Sequence, residues 1–260
     1  MRFTHKGAEL FYDDIGDGTP VLCLSAFPFD HRMWHEQHTL TNVARLLLPD
    51  YRGIGCSTST DEPYTMELLA DDMAELFDHA GIECAVLLGD SMGVYVAFAL
   101  LERHPERIRG LIISDSRAEA DTPEQAARRA HTAEGLRVQG VTVLRSRIDD
   151  LFAATTKRER PALVEAMQTQ VEEMNAEGLA WLTMGMALRP DRRAMLPTIQ
   201  TPILLLCGEE DTVSPPQGMQ EMAKAIPNAT FHLIPGAGHL APLENPAVFN
   251  TYVREFLTRL

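Results

Sequence analysis

Six short apolar runs recur along this chain with helical patterns between them: VLCLS (21–25), VARLLLP (43–49), AVLLG (85–89), IRGLIIS (108–114), PILLLC (202–207) and TFHLIP (230–235). Runs of this length without polar alternation are what a strand needs when both faces of its sheet are covered. Strands of that kind alternating with helices predict an α/β fold with a doubly wound, mostly parallel sheet and right-handed crossovers. Such sheets carry their sites at the carboxyl ends of the strands. The segment ELFYDDIGDGTP (9–20) reads differently. It alternates polar and apolar residues and ends in a glycine-rich turn at 16–20, which predicts an edge hairpin.

The helical patterns between the runs have recognisable ends. TMELLADDMAELFDHAG places Thr65 as an N-cap, Leu68, Leu69, Met73, Leu76 and Phe77 along one stripe, and Gly81 as the stop. SMGVYVAFALLERHPER is apolar nearly all round as far as Glu102, which predicts the central, most buried helix. From Ser116 to Gln200 the chain is too long for a crossover loop and has helical periodicity of its own, so a helical cap over the carboxyl edge is expected. This divides the chain into a core at 1–115, a cap at 116–195 and the rest of the core at 196–260. A hydrophobic content of 45% over 260 residues suits one such core.

The net charge of −14 argues against nucleic acid or an anionic membrane surface as a partner, because the mean field repels polyanions. The start MRFTHKGAELFYDD lacks a basic stretch followed by an apolar one, so a cytoplasmic, unanchored protein is expected. Cys23, Cys56, Cys84 and Cys207 are scattered without a C-x-x-C pair or clustered histidines, which predicts free thiols and no metal.

The run at 85–89 leads into Gly89-Asp90-Ser91-Met92-Gly93 and then a helix, a G-x-S-x-G pattern in the strand, sharp turn, helix context that exposes a serine hydroxyl. Small residues are needed at 89 and 93 because side chains there would collide with neighbouring backbone. The first amides of the helix have no intrahelical partner, so the Met92 N–H can point at a developing oxyanion. A serine also needs a base and an orienting acid. His239 follows the last apolar run and Asp211 follows the one before it, both where the carboxyl edge would face Ser91. Asp211 has competitors in its neighbours Glu209 and Glu210 and in Asp115, which ends a core strand.

The stretches LSAFPFDHRMW, LLPDYRGIGCS, GDSMGVY, TPILLLCGEEDTVSPP and PGAGHLAPLENP, spread over residues 24–246, resemble the α/β-hydrolases. Within them the chain is similar to small carboxylesterases, cofactor-free haloperoxidases and 3-oxoadipate enol-lactonases. The resemblance implies about eight strands with the cap inserted after the sixth. It also implies a nucleophile at Ser91, a base at His239, an acid at Asp211 and an oxyanion hole from the amides of Phe27 and Met92. No cofactor or metal is implied. The arginine of Arg52-Gly53-Ile54-Gly55 is structural in that family. The substrate implied is a small, largely apolar carboxylic ester or lactone. Phe29, Trp181, Met184 and Met186, with Leu188 beyond them, are expected to wall the pocket. Pro28 stands where the haloperoxidases also have proline, which implies side perhydrolase activity.

Two departures from the family stand out. Ser25-Ala26 replaces the usual His-Gly, so the loop carrying the Phe27 amide either sits differently or is held by a serine hydroxyl instead of an imidazole. Asp90 precedes the nucleophile, where it must meet an arginine or hydroxyl, or titrate high. Other readings of the same residues are an enol-lactonase-like enzyme for an anionic substrate, focused by Arg189, Arg192 or Arg193, a C–C or C–N hydrolase that uses the base alone, and a ligand receptor. The oligomeric state is not written in the sequence.

Overall fold

The computed structural model describes all 260 residues. Its eight strands are β1 (Arg2–His5), β2 (Ala8–Ile15), β3 (Thr19–Leu24), β4 (Ala44–Pro49), β5 (Ala85–Asp90), β6 (Ile108–Ser114), β7 (Ile203–Gly208) and β8 (Ala229–Ile234). They form one sheet in the order β1-β2-β4-β3-β5-β6-β7-β8. From β4 onward every neighbouring pair is parallel, while β1/β2 and β2/β4 are antiparallel. The order reverses at β3, the crevice where doubly wound sheets open.

The apolar runs occupy the strands as expected, with two corrections. The hairpin is β1/β2, closed over Lys6 and Gly7, both at positive φ as two-residue hairpin turns favour. The glycine-rich turn at 16–20 does not close a hairpin, because β4 lies between β2 and β3. TFHLIP is not covered on both faces either. It forms the edge strand β8, whose residues are mostly half-exposed, with His232 stacked on Tyr252 at 4.1 Å between ring centroids.

The helices are α1 (Met66–His79), α2 (Met92–Arg103), α3 (Pro123–Gln139), α4 (Arg145–Leu151), α5 (Ala154–Glu159), α6 (Pro161–Glu172), α7 (Ala176–Ala187), α8 (Pro216–Ala225), α9 (Ala241–Glu244) and α10 (Pro246–Leu257). None is long and apolar enough to cross a membrane. The Thr65 hydroxyl accepts the Leu68 N–H at the start of α1, and Gly81 follows its end at positive φ. In α2, 10 of the 12 residues are buried. Each large aliphatic or aromatic side chain hidden there contributes about 1.5–3 kcal/mol, so α2 anchors the turn that precedes it. Helices α3 to α7 lie between β6 and β7 and form the cap, with α7 resting its Gly178 and Gly185 on the backbone of Gly53 and Tyr64. A 3₁₀ segment at His31–Leu40, absent from the sequence reading, starts on the Asp30 side chain and buries Met33, Trp34, Gln37 and Leu40.

Candidate active site

Ser91 occupies the single residue between β5 and α2, at φ 51° and ψ −110°. A non-glycine residue held there costs on the order of 1–3 kcal/mol, so the surroundings must impose it. They do so from two sides. The Ser91 N–H donates to the Ser114 carbonyl at 2.9 Å, and the Ser116 hydroxyl donates to the Ser91 carbonyl at 2.7 Å. A Cβ on Gly93 would lie 2.0 Å from the Leu24 carbonyl oxygen, and one on Gly89 would lie 2.9 Å from the backbone of Gly93. The small flanking residues are therefore dictated by backbone crowding.

His239 and Asp211 arrive on the loops after β8 and β7. His239 Nε2 lies 2.7 Å from Ser91 Oγ, and its Nδ1 lies 2.9 Å from Asp211 Oδ2. The other Asp211 oxygen accepts the N–H groups of Val213 at 2.7 Å and Ser214 at 2.9 Å. Burial pulls the His239 pKa down, but the charge and hydrogen bond of Asp211 outweigh it and raise it above the ordinary imidazole value. Burial pushes Asp211 up, yet His239 and the two backbone donors hold it below the usual carboxylate range. Asp115 plays a different part. Its oxygens accept the Gly208 N–H, the Ser114 hydroxyl and the Ala241 N–H, so it ties three segments together, and burial with the nearby Asp211 charge raises its pKa.

Phe27, Pro28, Ser91, Met92 and His239 open onto one cavity of about 470 Å³ beneath the cap. The amides of Phe27 and Met92 donate to no loop, turn or cap acceptor. Ser25 holds this loop: Trp34 Nε1 donates to its hydroxyl, the hydroxyl donates to the Asp30 carbonyl, and the Tyr51 hydroxyl donates to the Ser25 carbonyl. Behind the serine, both Asp90 oxygens are buried without a hydrogen-bond partner, and burial raises this carboxyl well above its ordinary range.

The alpha/beta hydrolase fold family matches residues 19–246. The chain belongs to this family. It is similar over 100% of its length, and over 98% of the other chain, to a thermophilic esterase from Thermogutta terrifontis solved with malate bound, at 38% identity and a TM-score of 0.97. An enol-lactonase from Burkholderia xenovorans is 28% identical with a TM-score of 0.91, covering 99% of this chain and 100% of that one. A putative non-heme bromoperoxidase from Mycobacterium tuberculosis is 29% identical over 95% of this chain and 97% of its own length.

In this α/β-hydrolase the cap meets the cavity differently from the sequence expectation. Only 8 of the 21 lining residues are hydrophobic, so the largely apolar wall is corrected to a mixed one. Met186 lines it, together with Thr183 three residues earlier. Trp181 and Met184 do not. They share a face of α7 two residues out of phase with Thr183 and Met186, which at about 100° per residue is the opposite side of the helix. Trp181 instead lies under the Arg137 guanidinium, 4.4 Å from its ring centroid. Phe29 is corrected too, being packed in the core, and Leu188 is exposed to solvent. Arg189, Arg192 and Arg193 are engaged by Asp121, by Glu67 and Glu102, and by Asp191. The cavity's cations are Arg117, Arg128, Arg129 and Arg147, none singled out from the sequence; Arg129 pairs with Asp121. Three of them sit on the cap helices α3 and α4.

Proposed function

We propose that this α/β-hydrolase cleaves small carboxylic esters or lactones through an acyl-enzyme on Ser91. One observation carries the reading: the unbroken relay from Asp211 through His239 to a serine held at a strained turn on the cavity floor. His239 Nε2 takes the Ser91 proton as Oγ attacks the carbonyl carbon. The amides of Phe27 and Met92 hold the resulting oxyanion. His239 then gives its proton to the leaving alkoxide, and water, activated by the same imidazole, releases the acid. Asp211 keeps Nδ1 protonated and stabilises the imidazolium. The chemistry needs no cofactor.

Ser91→Ala and His239→Ala should each lower turnover of a p-nitrophenyl ester by about 10³-fold or more, with the double variant little worse, because the two act as one unit. A serine-directed phosphonate should label Ser91 once per chain. Full turnover in Ser91→Ala would sink the acyl-enzyme and favour chemistry that uses the base alone, and a burst without further turnover would mark a receptor.

A second reading concerns the substrate. Arg117, Arg128 and Arg147 line the cavity without a carboxylate partner, although the whole chain carries 37 acidic against 23 basic residues. This local inversion favours an ester or lactone that bears a carboxylate, in line with the enol-lactonase relative. It predicts a higher kcat/KM for the p-nitrophenyl monoester of succinate than for p-nitrophenyl butyrate, and loss of that preference in Arg147→Gln. Equal rates on both esters would leave the hydrolase standing and remove the anionic substrate.

A further inference from the structure

One buried carboxylate outside the relay grips the base loop and the cap at once. Glu244, the last residue of α9, accepts the N–H groups of Gly238 at 2.9 Å and Leu240 at 3.2 Å through Oε1. These are the two neighbours of His239. Its Oε2 accepts the Ala153 N–H at 2.8 Å and the Thr156 hydroxyl at 2.5 Å, both at the start of α5 in the cap. Four neutral donors thus satisfy a carboxylate with almost no exposure to water.

Further bonds run along the same seam. The His239 N–H donates to the Leu151 carbonyl at 2.8 Å, and Leu151 ends α4, which supplies Arg147, Ile148 and Leu151 to the cavity wall. The Thr155 hydroxyl donates to Glu210, the neighbour of Asp211, at 2.7 Å. Arg160 Nη1 donates to the carbonyls of Leu243 and Glu244, each at 2.9 Å.

We propose that Glu244 is a positioning residue that locks the His239 loop to the α4–α5 segment of the cap, so that the base and one wall of the substrate pocket form a single body. The proposal rests on the reading of His239 as the base. Hydrogen bonds to a charged acceptor are about twice as strong as neutral ones, and a carboxylate has acceptor sites for both pairs of donors at once. A glutamine has only one oxygen. It can serve the loop or the cap, while its NH₂ confronts N–H donors on the other side. Displacing a base by about 1 Å can cost about 100-fold in rate, so the seam matters to chemistry as well as to folding.

The test compares Glu244→Gln, which breaks the carboxylate grip, with Thr156→Val, which removes only a cap-side bond. The substrate is p-nitrophenyl acetate, with active sites titrated by phosphonate and the assay run well below each variant's Tm. Glu244→Gln should lower kcat per titrated site about 10-fold or more with KM nearly unchanged, and Thr156→Val should do the same to a smaller extent. In both, the acid limb of kcat/KM should move to lower pH, because a looser loop weakens the Asp211 contact that raises the His239 pKa. A purely structural role would lower Tm and the number of titratable sites but leave kcat per site and the acid limb unchanged, and that result overturns the proposal. If Glu244→Gln does not fold, Thr156→Val alone decides by the same two readouts. Full activity in His239→Ala is a separate result, which would remove the base itself.

Discussion

Asp90 lies one residue from Ser91, the proposed nucleophile, with both side-chain oxygens buried and unpartnered. Because burial raises its pKa above the unfolded value of about 3.9, the protonated form is the one the fold favours. The sign follows from linkage: this contribution is fully present below about pH 4 and is lost as pH rises through the folded pKa. Asp90→Asn has nearly the same shape and cannot ionise. Its Tm relative to wild type should therefore climb between pH 5 and pH 8, as followed by thermal melts at fixed ionic strength. A constant difference across that range would show that the Asp90 charge plays no part. Two other buried carboxylates near Ser91, Asp211 and Asp115, should separate by what they touch. Asp211→Asn should lower kcat by orders of magnitude, though less than Ser91→Ala or His239→Ala does, with a small change in Tm, because it leaves the imidazole in place in the wrong tautomer. Asp115→Asn puts an NH₂ against the N–H of Gly208 or Ala241 and should lower Tm while costing far less in kcat. The reverse ranking in kcat would make Asp115 the acid.

At the level of elements, what was legible in the sequence divides along physical lines. The G-x-S-x-G turn, the Thr65 cap and the buried α2 were legible because each depends on local sterics or a local donor that the residues themselves name. The hairpin was misplaced because β4 enters between β2 and β3, a long-range pairing that no local turn signal reports. The cap wall failed for another reason. Helix α7 is apolar on the face toward the cavity and on the face away from it, so periodicity cannot say which side meets substrate. The pocket arginines were missed because a charge on an amphipathic cap helix looks the same whether it faces bulk water or a cavity. The corrected faces make a prediction. Met186→Ala should widen acyl-chain preference over a p-nitrophenyl ester series while hardly touching acetate. Trp181→Ala should instead lower Tm through lost packing and leave the chain-length profile as it is. If Trp181→Ala shifts the profile more than Met186→Ala does, the assignment of faces is wrong.

On the scale of the whole molecule, the cap and the sheet share too many buried bonds to unfold apart. Glu244, Arg160 and the His239 amide cross the seam on one side, while Arg192 of the cap, itself buried, pairs with Glu67 and Glu102 in the core helices on the other. Opening the seam would break the bonds of Glu244 to Ala153 and Thr156, of Arg160 to Leu243 and Glu244, and of the His239 amide to Leu151, at about 0.5–1.5 kcal/mol for a neutral bond and about 1.5–3 kcal/mol for one to a charged group. That sum is a large share of the stability of an ordinary domain, so cap and core should melt in one transition. The chain offers its own reporters, because its two tryptophans divide between the parts: Trp34 is buried in the 3₁₀ segment of the core and Trp181 lies in the cap. Trp34→Phe leaves a cap probe and Trp181→Phe leaves a core probe. Within each variant, the fluorescence transition in urea should coincide with the far-ultraviolet circular dichroism transition, which removes any stability lost to the substitution itself. A cap signal in Trp34→Phe that moves at lower urea than the circular dichroism would show a lid that opens as a separate unit, and with it a base loop that Glu244 does not hold.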